Sequence, residues 1–251
     1  MNKSYLVAMV RRGRRAVDRH GIVTVVHRGL RFAANRLLKR LRGEPTRTDL
    51  AKPNSFDVAH AVNTVESIDD EIALARVSSP NWRHGFRYQR SSADRFRCLV
   101  DALSIAHRDY LFVDFGSGKG LILLLAAEYP FRKIIGVEYC SSLHAAAEKN
   151  LASYRSPTQK CHDLVSVCAD AITFRLPEGP AVLYFACPFD AVVLDPVVAN
   201  VRQALAKSTG KSYVLYYNAL YADVFQKHGF VEIARQTDNI GTHLILECPR
   251  E

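Results

Sequence analysis

The chain has 251 residues, 48% of them hydrophobic and 24% charged, with 13 Gly and 10 Pro, a composition that excludes a disordered, collagen-like or disulfide-scaffold protein. Its longest stretches without a charge, Gly179 to Phe189 and Ser212 to Ala222, are 11 residues each, well short of the ~18 that a bilayer-spanning helix needs. The net charge of +9 sits in the first 47 residues, which hold 13 Lys/Arg against Asp18 and Glu44 for a net of +11, while the remainder carries −2.

The basic arm comes first in chain order. Leu30, Ala34, Leu37 and Leu41 fall on one helical face, with Arg28, Arg31, Arg36, Lys39, Arg40 and Arg42 around the rest. Such a helix can lie on an anionic membrane, follow a phosphate backbone or cap the main domain with its apolar stripe, and the pattern leaves all three open. The apolar run Tyr5 to Val10 is short and is followed at once by Arg11-Arg12-Gly13-Arg14-Arg15, which disfavours a secretory signal. An organellar transit peptide stays compatible with the Arg-rich, acid-poor composition. Gly43, Pro45, Pro53 and Asn54 mark a linker over 43–57.

A short helix is expected around Asp69 to Val77, then an irregular stretch from Pro80 through Trp82, Gly85 and Tyr88. Ser91-Ser92-Ala93-Asp94 caps a helix whose apolar face is Phe96, Leu99, Val100 and Leu103. From residue 109 strands and helices alternate. Strands are predicted at Tyr110–Phe115, Lys133–Glu138, Leu164–Cys168, Ala181–Ala186 and Tyr213–Tyr217. Helices are predicted at Lys119–Tyr129, Ser141–Tyr154, Asp190–Lys207 and a short segment ending at His228. Two further strands, Phe230–Arg235 and His243–Cys248, flank the turn Asp238-Asn239-Ile240-Gly241. Apolar strands separated by helices imply a mostly parallel sheet covered on both faces, and the terminal turn predicts one antiparallel strand at the end of the sheet. The chain thus divides into a basic helical arm and linker (1–50), a helical lead-in (51–108) and an α/β core (109–251).

The six cysteines form no Cys-x-x-Cys pair, and several lie in apolar segments. They read as buried free thiols of a reducing compartment, with no metal framework. A cytoplasmic chain is expected, with peripheral membrane contact as one option for the arm.

The most informative segment is Asp114-Phe115-Gly116-Ser117-Gly118-Lys119-Gly120, between the first predicted strand and its helix. Glycines there allow a tight turn and a close approach of backbone to ligand, at the strand ends where open α/β sheets bind ligands. A dinucleotide site is disfavoured, because the spacing is G-x-G-x-G with Leu121 at the sixth place. Glu138 ends the second strand, where a carboxylate can accept both ribose hydroxyls of an adenosine ligand. Asp170, just past the third strand, can receive an adenine amino group, with the Ala171 amide facing a ring nitrogen. Asp114 is placed to meet a cationic amino group. Three carboxylates repel a pyrophosphate and suit a cationic, phosphate-free nucleoside. Lys119 is expected to start the helix with its charge in solvent.

These segments, with Gly136-Val137-Glu138-Tyr139 and Ala169-Asp170-Ala171, resemble the successive cofactor motifs of class I S-adenosylmethionine-dependent methyltransferases over about residues 88–251. More narrowly, the run from Phe56 through Tyr88-Gln89 to Tyr184-Phe185-Ala186-Cys187-Pro188-Phe189 is similar to a group of bacterial methyltransferases with a core like that of the DOT1-like histone-lysine methyltransferases. The resemblance implies a Rossmann-like methyltransferase sheet and S-adenosylmethionine as cofactor. It implies that Gly116, Gly118 and Gly120, with Ser117 between them, border the methionine and ribose. Glu138, beside Tyr139, would take the ribose, Asp170 with Ala171 the adenine, and Tyr88 would lie over the cofactor. The acceptor region would be Cys187, Pro188 and Phe189, where amino-directed relatives carry [D/N]-P-P-[Y/F]. Here only the last Pro and the aromatic match, Ala186 replaces the polar first residue, and Cys187 stands where the narrower group often has Asn. Tyr216, Tyr217 and Asn218 are further acceptor-pocket candidates, with packing favoured for Tyr216. The acceptor implied is protein lysine first, then a small molecule or RNA. A cofactor-binding protein without transfer, targeted by its basic arm to membrane or nucleic acid, is the competing reading.

Overall fold

The computed structural model describes residues 54–64, 81, 84–85 and 91–249, all within one unit spanning 53–251. The expectations for the basic arm, the helix around Asp69 to Val77, and Trp82 and Tyr88 lie outside the described residues.

Seven strands form one sheet: β1 (Leu111–Phe115), β2 (Lys133–Glu138), β3 (Leu164–Cys168), β4 (Ala181–Phe185), β5 (Ser212–Tyr216), β6 (Val231–Thr237) and β7 (Thr242–Cys248). Their order is β3-β2-β1-β4-β5-β7-β6. Strands β1 to β5 pair in parallel, and β7 pairs antiparallel with both β5 and β6. The sheet is therefore Rossmann-like and mostly parallel, with one antiparallel strand, as expected. That strand is not at the end of the sheet, however. β7 folds back through the turn after β6 and lies between β5 and β6, pairing antiparallel with both and leaving β6 as the edge.

The helices are α1 (Ser55–His60), α2 (Ala93–Asp101), α3 (Leu121–Ala126), α4 (Ser141–Ser153), α5 (Ala191–Leu205) and α6 (Ala222–Lys227). Strands β1, β4 and β5 are buried at every position, which requires cover on both faces. One face packs Phe112, Ile134, Val182 and Leu215 against α2 and α3, with Leu151 and Tyr154 at the end of α4. The other packs Val113, Ile135, Leu183 and Val214 against Val193, Val197 and Val201 of α5 and Phe225 of α6. Alternate residues of each strand thus serve opposite layers. Helix α3 is shorter than predicted: Gly120 caps it in a left-handed conformation (φ 84°), and Pro130 lies just beyond the turn that ends it.

The order reverses at β1, which has β2 on one side and β4 on the other. A crevice at the carboxyl ends of these strands is where such sheets place ligands.

Candidate functional site

The turn after β1 is built by three glycines in the left-handed region, Gly116 (φ 82°), Gly118 (φ 53°) and Gly120 (φ 84°), a conformation that costs other residues about 1–2 kcal/mol each. Gly116 and Ser117 donate backbone N–H bonds to Val137 O at 2.8 and 3.2 Å, which ties the turn to β2. A Cβ on Gly116 would collide with Pro188. The turn after β1 and the Pro188 segment after β4 therefore touch across the switch point. The Ser117 hydroxyl is buried with no hydrogen-bond partner among the described residues and faces the bare backbone of Gly136.

Two carboxylates are buried beside this turn. Glu138, 3% exposed, accepts the Gly118 N–H at 2.9 Å on Oε2 and the Cys140 N–H at 2.8 Å on Oε1, so it pins the glycine turn to the start of α4. Each oxygen keeps acceptor capacity for a hydroxyl. Asp114, 2% exposed, sits on the α2/α3 side of β1 in register with Tyr184, and no donor among the described residues reaches its carboxylate. Burial, reinforced by the Glu138 charge, holds the Asp114 carboxyl well above the ordinary carboxylate range. Burial raises Glu138 to about 7, against the backbone N–H bonds that favour its ionised form.

Asp170 lies in the turn after β3, where its Oδ1 accepts the Ile172 N–H and its Oδ2 accepts the Asn81 side-chain amide, both at 2.9 Å. Ala171 follows it in the same half-buried turn. Tyr139, just past β2, links the carboxylates. Burial first, then the charges of Glu138, Cys140 and Asp170, push its phenol up to about 12. Asp114, Glu138 and Asp170 thus lie at or just past the carboxyl ends of three neighbouring strands.

Among the acceptor candidates, Pro188 faces Gly116, while Cys187 and Phe189 are buried in the sheet's α5 layer. Cys187 takes a left-handed conformation (φ 49°) that favours the Asn of the related motif, and its thiol packs beside the Tyr216 hydroxyl and is raised by burial. Tyr216 is fully buried, a packing residue. Tyr217 packs against His243 in a tilted ring pair with centroids 4.6 Å apart, and Asn218 (φ 51°) donates its backbone N–H to His243 Nδ1 at 3.1 Å.

Lys119 departs from expectation: it is 5% exposed, with its carbonyl accepting Asn150 Nδ2 at 2.9 Å. Sequence reasoning also missed the lead-in contacts. Asn81 reaches Asp170, Gly85 lies against the Tyr139 hydroxyl and forms a bridge with Phe189, and His84 meets Asp190. Gly85 was the one signal in the sequence, since only a residue without a Cβ fits against Tyr139.

No family model and no curated protein matches the chain. Among solved structures it is similar to a TehB-like SAM-dependent methyltransferase from Corynebacterium glutamicum, with 15% identity, 62% of this chain and 88% of that one covered, and a TM-score of 0.46. It is also similar to the glycopeptide N-methyltransferase MtfA complexed with (S)-adenosyl-L-methionine, with 14% identity, 64% and 94% covered, and a TM-score of 0.47. A third is a ribosomal protein L11 methylase from Lactobacillus delbrueckii subsp. bulgaricus, with 14% identity, 62% and 77% covered, and a TM-score of 0.43.

Proposed function

We propose that this chain is an S-adenosylmethionine-dependent methyltransferase whose acceptor is protein lysine, with small-molecule and RNA acceptors as the competing outcomes of the test. The observation that carries the reading is the buried Asp114 carboxylate, without a donor among the described residues, beside Glu138 and the three-glycine turn. A buried acceptor with no partner is costly, and a ligand ammonium would satisfy it by a charge-assisted bond. Asp114 would hold the amino group, Glu138 the ribose hydroxyls and the Asp170–Ala171 turn the adenine. Gly116, Ser117, Gly118 and Gly120 would border the methionine and ribose, with Tyr139 at the rim and Tyr88 over the cofactor. The bound cofactor supplies a sulfonium methyl, an electrophile needing in-line alignment and exclusion of water. Pro188 and Phe189 would shape the far wall, where the acceptor enters.

The test is calorimetric titration with S-adenosylmethionine. Asp114→Asn and Glu138→Gln should each weaken binding by tenfold or more with the far-UV circular dichroism unchanged, and unaltered affinity in both variants would refute the pocket. Incubating lysate with labelled cofactor and enzyme then sorts protein, RNA and small-molecule acceptors. A second reading, cofactor binding without transfer, is favoured by the lack of a polar side chain at Ala186 and by the buried Cys187 thiol. It predicts affinity with no label transferred in any fraction.

A further inference from the structure

The lead-in meets the β4–α5 connection at three points. Gly85 forms a bridge with Phe189, the Asp190 N–H donates to His84 O at 2.9 Å, and His84 Nδ1 lies 2.9 Å from Asp190 Oδ2. The second oxygen, Oδ1, accepts the Val192 N–H at 3.0 Å and caps α5, so helix α5 orients the carboxylate that holds the ring. An ionised carboxylate only accepts, so Nδ1 carries the proton and Nε2 of the neutral ring keeps its lone pair. The two side chains remain 37% and 33% exposed, and no described residue forms a hydrogen bond with Nε2. The pair stands beside the segment in which Pro188 faces the glycine turn and Gly85 faces Tyr139.

The strand-four segment itself offers no proton acceptor at this rim, since Ala186 has no polar side-chain atom and the Cys187 thiol is buried against Tyr216. Among the described residues of the rim, Asp114 and Glu138 are buried, Asp170 holds Asn81 and its own turn, and Tyr139 is raised to about 12. Among these residues His84 alone presents a part-exposed ring whose second nitrogen keeps a lone pair able to accept a proton.

We propose that His84 is the general base of the transfer, positioned by Asp190, and that the acceptor is an N–H or O–H nucleophile that loses its proton as it is methylated. This rests on the transferase reading above. The nucleophile's lone pair forms the new bond to the methyl carbon, the carbon–sulfur pair leaves on sulfur as a neutral thioether, and His84 Nε2 takes the proton while the bonding pair stays on the nucleophile. Asp190 stabilises the imidazolium, whose exposed edge returns the proton to water.

His84→Gln should keep its circular dichroism and its calorimetric affinity for S-adenosylmethionine within twofold, while the rate of label transfer to lysate falls by about 100-fold or more. In His84→Gly, added imidazole should restore part of that rate. Nitrogen-15 spectra of the cofactor-free protein should show the His84 proton on Nδ1. Asp190→Asn, which retains a cap for α5, should shift it toward Nε2 and slow transfer about tenfold. Undiminished labelling by His84→Gln, or a wild-type proton on Nε2, overturns the role of His84 and leaves the transferase reading intact. A wild-type protein that binds no cofactor, or binds it and labels nothing, removes the transferase reading and this assignment with it.

Discussion

Asp114 and Glu138 show how two side chains can bias a site toward one kind of ligand. Both are buried at adjacent strand ends, and the charge on Glu138 adds to the cost of ionising Asp114. A ligand ammonium at Asp114 lowers the cost of ionising it and, through the Asp114–Glu138 repulsion, the cost at Glu138 too, so binding a cationic ligand should release a proton, and affinity for S-adenosylmethionine should rise between pH 6 and pH 7.5 when measured by titration in buffers of differing ionisation enthalpy. Stability without ligand should run the other way. Glu138 is protonated more readily in the folded chain (about 7) than at its ordinary value of 4.5. Folding therefore holds a proton that the unfolded chain has lost in this interval, and stability falls as pH rises through it. The full effect is on the order of 3 kcal/mol. Urea unfolding at pH 5 and pH 7.5 reads it directly, and Glu138→Gln should flatten the difference. A midpoint independent of pH in the wild type would contradict this account of the buried pair. The types and positions of these carboxylates were legible in the sequence. Their burial was not, because a strand-end carboxylate reads the same whether it faces solvent or a crevice.

At the scale of elements, the lead-in is tied to the core by single polar residues. Asn150, on α4 and 5% exposed, accepts the Asn63 N–H at 2.8 Å and donates from Nδ2 to Asn63 O at 3.0 Å and to Lys119 O at 2.9 Å. One amide thus joins the segment after α1 to the glycine turn. Asn150→Ala leaves three backbone groups without this partner and should cost about 2–4 kcal/mol, measured by urea unfolding, with a matching loss of cofactor affinity as the turn loosens. A cost below 0.5 kcal/mol would show that the latch contributes nothing. The strands β2 and β3 were predicted to the residue, since apolar runs bounded by turn residues carry their own limits. The helices were overextended at their ends, where caps decide: α3 begins only after Gly120 turns left-handed, and α5 begins after Asp190 caps it. The left-handed Cys187 gave no signal, because a cysteine does not announce that conformation as glycine does.

For the whole molecule, charge and fold separate along the chain. The core 53–251 has an apolar layer on each face of its own sheet, while the first 47 residues carry a net +11. Deleting residues 1–47 should leave a cooperatively folding protein of net charge −2 that binds S-adenosylmethionine within about twofold of the full chain and no longer adheres to a cation exchanger at pH 7. Loss of cooperative unfolding would instead make the arm part of the core. Among the described residues no helix is long and apolar enough to cross a membrane. What the sequence by itself determined was local: alternation of strand and helix, the three-glycine turn, and the acidic residues at three strand ends, because periodicity and turn chemistry act over a few neighbouring residues. Tertiary structure alone decided the insertion of β7 between β5 and β6, the burial of Lys119, and the lead-in contacts of Asn81 with Asp170 and His84 with Asp190. Those last pairs lie 89 and 106 residues apart in sequence. Their meeting depends on how crossovers stack strand ends side by side, and that free energy is shared across the whole sheet and carried by no local pattern.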